Sequence, residues 1–167
     1  IFVDEFERIS DRMGFASVIK ALPKKCMFVV TGIAETEKQL VGDHESIERQ
    51  LGAGKLLVQK MSSDELRLII ENAEDAVNGE IRFEESGTAR LIEIAKGHPY
   101  LVHLVGRTAM TAAFLAKAST VSETDLERAI SEIATGRVES FLHERYLAAI
   151  GNSMGREIVL RVFAADT

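Results

Sequence analysis

The chain has 167 residues, 46% of them hydrophobic, enough to build a core in one domain or two small ones and too apolar for a disordered segment. Its 26 acidic against 20 basic side chains give a net charge of −6, so the molecule as a whole does not attract a phosphate backbone. The single cysteine, Cys26, excludes an internal disulfide and, with no Cys or His close in sequence, a metal-ligand pattern; a reducing cytoplasm is the expected compartment.

The opening Ile1-Phe2-Val3 is a short apolar run ending in the acids Asp4 and Glu5. With no initiator Met, basic segment or cleavage site it is not a signal peptide, and the chain is expected to be an excised piece of a longer protein. Phe6, Ile9 and Met13, then Phe15, Val18, Ile19 and Leu22, have helical spacing, with a break predicted at Gly14 and a stop at Pro23. Cys26-Met27-Phe28-Val29-Val30-Thr31 is a second apolar run, closed by Gly32. Strand, helix, strand is one βαβ unit, and both strands read as buried and parallel. A polar, helical stretch from about Glu35 to Gln50 and the turn Gly52-Ala53-Gly54 lead to a third strand, predicted at Lys55–Lys60.

From Ser62 onward the apolar period is 3.6. Ser62 with Glu65 forms a capping-box pattern, and Leu66, Ile69, Ile70, Ala73 and Val77 share one face of the helix it opens. A second helix runs from about Glu84 to Lys96, with Gly97 at the left-handed terminal position and Pro99 in the first turn of the next. That next helix contains the longest apolar stretch, Leu101 to Leu115, which is interrupted by His103, Arg107, Thr108 and Thr111 and is shorter than the roughly 20 residues that span a bilayer. Ser122 with Asp125 opens a further helix with the face Leu126, Ala129, Ile130, Ile133 and Ala134. Helical segments are also predicted at Val138–Ala149 and Arg156–Ala164. The change of period places a boundary near Met61, between residues 1–61 and a helical part at 62–136, with 137–167 as a further helical segment.

Four features could carry chemistry. Asp4 and Glu5 follow a strand whose carboxyl end, in an open parallel sheet, faces the ligand crevice; Asp4 could hold Mg²⁺ through water and Glu5 polarise an attacking water. Equally, Asp4 and Glu7 make an Asp-x-x-Glu helix start. Thr31 puts a hydroxyl at the end of the second strand, where it could sense a γ-phosphate, or serves simply as a good strand former. Arg49 could reach a neighbouring subunit's γ-phosphate or pair with Glu45 one turn away. Gly97-His98-Pro99-Tyr100 forms a rigid corner that could lie against an adenine ring, or a plain tight connection between helices. Gly52-Ala53-Gly54-Lys55 is not a phosphate loop: position 49 is Arg, position 56 is Leu, and a strand rather than a helix is predicted after it. The four histidines show no paired spacing on a helical face, so no zinc site is proposed.

In order and spacing these residues resemble, from Ile1 to about Ala134, the second half of an AAA+ or STAND-type P-loop ATPase. The resemblance implies Asp4 and Glu5 as Walker B, Thr31 in Val29-Val30-Thr31-Gly32 as sensor 1, and Arg49 in Ser46-Ile47-Glu48-Arg49 as an arginine-finger candidate. It implies Met61-Ser62-Ser63-Asp64-Glu65-Leu66 as the start of the helical lid and Gly97-His98-Pro99 as the lid motif that contacts nucleotide. The implied fold is an α/β remnant of a P-loop NTPase core with about three mainly parallel strands, followed by an all-α helical lid and a helical segment at 137–167, in which Gly155 to Phe163 could begin a winged-helix module; the whole is mostly helical. The chain contains no Walker A loop. The implied activity, Mg²⁺-dependent ATP hydrolysis driving a conformational switch, therefore belongs to the parent protein. The fragment alone is expected to be inactive and to bind neither ATP nor Mg²⁺. Its strands are expected to repack, to borrow an edge from a second copy by dimerisation or swapping, or to pair with the missing N-terminal half of the same domain. The alternative is a nucleotide-independent module that binds a protein or DNA.

Overall fold

The computed structural model describes residues 1–21, 25–34, 54 and 56–165. The chain divides into two compact units, Ile1–Val58 and Gln59–Thr167.

In the first unit, β1 (Phe2–Val3) pairs in parallel with β2 (Val29–Val30), Phe2 opposite Val29 and Val3 opposite Val30. The connection is a 3₁₀ turn, Phe6–Arg8, and helix α1, Arg12–Ala21. The break in the helical pattern falls before Asp11 rather than at Gly14, because the Asp11 carboxylate accepts the Gly14 amide at 2.8 Å and opens α1 there. Phe6 is fully buried and anchors the connection, with its ring 4.9 Å from Phe15; the Phe15 ring lies 6.2 Å from Phe28, both pairs edge-to-face.

Two expectations for this unit are corrected. The strands are parallel but not buried on both faces: Val3 and Val30 are half-buried, whereas Phe2 is 66% exposed. A sheet of two strands covers its own backbone along one seam and leaves the outer side chains to solvent. The third strand at Lys55–Lys60 is absent from the described residues 56–60, which join no ladder and leave Leu56, Leu57 and Val58 exposed. An apolar run specifies a strand only where a neighbour supplies hydrogen-bonding partners. The helix predicted at Glu35–Gln50 and the candidate Arg49 lie outside the described residues.

The second unit contains α2 (Ser63–Ala76), β3 (Arg82–Phe83), α3 (Glu85–Ala95), α4 (Pro99–Leu115), β4 (Thr120–Val121), α5 (Glu123–Ala134), α6 (Ser140–Ile150) and α7 (Met154–Ala165). Both capping boxes form, Ser62 with Glu65 and Ser122 with Asp125. The amphipathic faces meet in one core: Leu66 and Ile70 of α2, Leu91 and Ala95 of α3, Val102, Leu104, Val105, Ala109 and Ala113 of α4, Val121, and Leu126, Ala129 and Ile133 of α5. Ala134, expected on that face, is exposed. This part is not purely helical, since β3 and β4 pair in parallel, Arg82 with Thr120 and Phe83 with Val121. Such short strands carry too few residues to show a period of two, so the pair is hidden among helical patterns. The architecture is thus a few short parallel strands and a helical remainder, with most of the described residues helical. No helix among the described residues is long and apolar enough to cross a membrane.

Candidate functional site

The carboxyl ends of β1 and β2 bring Asp4 and Thr31 together. Register does this: Thr31 N donates to Val3 O at 2.9 Å, and Phe6 N donates to Thr31 O at 3.0 Å, so Thr31 is tied by its backbone to the residues on both sides of the acids. Its hydroxyl donates to Asp4 Oδ1, which also accepts the Glu5 amide at 2.9 Å. These two bonds, the hydroxyl first, hold the Asp4 carboxyl below the usual aspartate range, so it is ionised at neutral pH. Asp4 does not cap the 3₁₀ turn; the residue preceding that turn is Glu5, which has no side-chain cap bond.

Glu5 lies in the left-handed region at φ 53, a conformation that costs a non-glycine residue of order 1 kcal/mol. Its carboxylate forms a 2.6 Å ion pair with Arg8 Nη1, with both side chains largely exposed. One residue that sequence reasoning treats only as a partner in a helix start has a longer reach: Glu7 Oε2 accepts the Ile33 amide at 3.1 Å, joining the turn after β1 to the loop after β2. Neither Arg8 nor Glu7 stands out by motif. Neither has a sufficient local signal: the pairing of Arg8 with Glu5 depends on the left-handed turn at Glu5, and the bond from Ile33 to Glu7 on strand register.

The other predicted cluster belongs to the helical unit. Lys96 ends α3 at φ 46 and Gly97 continues at φ 83, so the left-handed cap falls on Lys96 and extends into Gly97. Gly97 is required there for space as well. A Cβ on it would stand 2.7 Å from the Lys60 Cβ and 3.0 Å from the Met61 carbonyl oxygen, and Met61 N donates to Gly97 O at 3.0 Å. His98 precedes α4 and Pro99 occupies its first turn. His98, Pro99 and Tyr100 are exposed. Tyr100 also lines a cleft of about 390 Å³ with His103, Leu104, Arg107 and Glu139, where Arg107 pairs with Glu139 at 3.4 Å. A separate apolar cavity, also about 390 Å³, lies between α2 and α4 and contains none of Gly97 to Tyr100.

Among solved structures the chain is similar to RuvB of Thermotoga maritima. One match, a point mutant, has a TM-score of 0.60 at 14% identity over 80% of this chain and 44% of that one. Another, described as a Holliday junction branch migration motor, has a TM-score of 0.59 at 15% identity over 78% of this chain and 43% of that one. The fold is shared. At that identity the likeness concerns architecture alone, and the chain spans less than half the length of the RuvB chains it matches. No protein-family model and no curated protein matches the sequence.

As a donor set, an ionised aspartate beside a threonine hydroxyl offers hard oxygen atoms suited to Mg²⁺, which keeps most of its waters and takes few protein ligands. No cluster of three or more His, Cys, Asp or Glu suited to a metal occurs among the described residues.

Proposed function

We propose that this chain is the part of an AAA+ or STAND-type ATPase that runs from the Walker B strand through the helical lid, and that its parent protein hydrolyses ATP with Mg²⁺ to drive a conformational switch. The observation that carries this reading is the Asp4–Thr31 hydrogen bond at the carboxyl ends of adjacent parallel strands, the edge at which open α/β sheets bind ligands. The RuvB-like fold supports it.

In this reading the rest of the parent supplies the phosphate loop, and the fragment alone does not turn over ATP. Bound Mg²⁺ would neutralise phosphate charge as the terminal phosphoryl group departs. Asp4 is the residue that would hold it, kept ionised by the Thr31 hydroxyl and the Glu5 amide. Glu5, once its carboxylate leaves Arg8, orients the attacking water and accepts its proton at Oε. Thr31 holds Asp4 and senses the γ-phosphate. Gly97, His98, Pro99 and Tyr100 contact the nucleotide from the lid, and Arg49 acts on a neighbouring subunit in an oligomer. A cytoplasmic location and a DNA or protein partner belong to the same proposal.

The second reading, a nucleotide-independent interaction module, draws on the exposed Phe141, Leu147, Met154, Ile158 and Val162 of α6 and α7. ATP turnover by the parent protein separates the two. Glu5→Gln is expected to lower kcat by about 100-fold or more, with little change in KM. Equal turnover in the two proteins rejects Glu5 as the proton acceptor.

A further inference from the structure

The Glu7 carboxylate crosses from the 3₁₀ turn after β1 to the chain leaving β2, where Oε2 accepts the Ile33 amide at 3.1 Å. Ile33 is two residues beyond Thr31, and its own side chain is exposed, so apolar burial does not hold this loop in place. The Thr31 hydroxyl reaches Asp4 only while the end of β2 stays in register with the end of β1. Up to Thr31, that register rests on the bonds from Ile1 N to Met27 O, Val29 N to Ile1 O, Thr31 N to Val3 O and Phe6 N to Thr31 O, and on the buried ring of Phe6. Downstream of Thr31, the bond from Ile33 to Glu7 returns the chain to the same turn. The two carboxylates thus divide the work: Asp4 takes the hydroxyl, and Glu7 holds the backbone that presents it.

We propose that Glu7 is a positioning residue for Thr31, acting by tethering the Ile33 amide. The proposal rests on the ATPase reading above, in which Thr31 and Asp4 serve the reaction. A carboxylate fits the task because it accepts a backbone N–H strongly. A glutamine, whose amide oxygen also accepts, can replace it, whereas alanine cannot.

The test uses ATP hydrolysis by the parent protein together with amide hydrogen exchange at Ile33. Glu7→Ala is expected to lower kcat about tenfold with KM nearly unchanged and to speed exchange at Ile33; Glu7→Gln recovers most of both. Thr31→Ala gives a comparable loss of kcat. The double variant Glu7→Ala/Thr31→Ala is no slower than Thr31→Ala alone, because the two residues act as one unit. The proposal is overturned if Ile33 exchange is unchanged in Glu7→Ala, if Gln fails to rescue, or if the two losses multiply in the double variant. If instead the parent protein turns over no ATP, the ATPase reading itself has failed, and if Glu5→Gln and Thr31→Ala both turn over ATP normally, the roles given to Glu5 and Thr31 have failed; neither result needs a Glu7 variant.

Discussion

The helical unit buries Leu66, Leu91 and Leu126 almost completely, while the α/β unit turns Phe2, Met27, Ile33 and Leu57 to solvent. Both units draw on the same kinds of apolar residue. The difference lies in how each structure satisfies its backbone. A helix closes its own hydrogen bonds and needs a neighbour only for its apolar stripe, so α2 to α5 complete a core among themselves. A strand needs neighbours for both backbone and side chains, and two-residue strands in a single pair provide little of either. In the first unit the fully buried anchor is Phe6.

The sharpest way to break this comparison is to empty each core. Leu91→Ala and Leu126→Ala should each destabilise the helical unit by about 2–5 kcal/mol, measured by urea denaturation followed by circular dichroism. A loss under about 1 kcal/mol would mean that the helices are not closed around those side chains. Phe6→Ala should loosen the contacts among Phe6, Phe15 and Phe28, seen in near-ultraviolet dichroism, while the helical transition stays put. A shift of that transition in step with Phe6→Ala would show the two units unfolding as one.

A smaller effect is expected at the α3–α4 corner. Gly97→Ala combines a left-handed backbone with too little room beside Lys60 and Met61, and should cost about 1–3 kcal/mol in the same denaturation experiment. A neutral outcome would mean that the Met61–Gly97 contact yields without strain.

The smallest effects concern the helix starts. Ser62→Ala and Ser122→Ala should each cost about 1 kcal/mol at neutral pH. The Glu65 carboxyl is held below its ordinary 4.5 by the Ser62 amide and then the Ser62 hydroxyl; Asp125 is held below 3.8 by the Ser122 amide and hydroxyl in the same order. Folding therefore lowers both values, so the folded state binds fewer protons than the unfolded one. The stabilisation is complete above the ordinary values and is lost as pH falls through the lowered ones. In the double serine variant the hydroxyl bonds are lost and the amide bonds remain, so stability should vary somewhat less with pH below 4.5 than in the parent chain, as read from thermal melts across pH 5 to pH 2; an identical slope would reject the hydroxyls as a cause.

What could be read in advance follows the same division. The faces of α2 and α5, the Ser62 and Ser122 boxes and the Gly97-His98-Pro99 corner are legible because each is specified by residues within one or two helical turns. Asp4 and Thr31 are legible as strand ends, and their meeting depends on parallel register alone. The Glu7–Ile33 tether, the Arg8–Glu5 ion pair and the β3–β4 ladder are not legible. The first and last join residues far apart in sequence, and the ion pair depends on the left-handed turn at Glu5. The apolar run at Leu56 misleads for the complementary reason: its residues favour a strand, and among the described residues no neighbouring strand receives them.

The β3–β4 pair has a consequence for the order of folding. Arg82–Phe83 can meet Thr120–Val121 only after the chain has travelled out along α3 and back along α4, a long loop whose closure entropy two residues of ladder cannot offset. The ladder is therefore a late event, formed once those helices have docked, and substitutions within it should speed unfolding far more than they slow refolding.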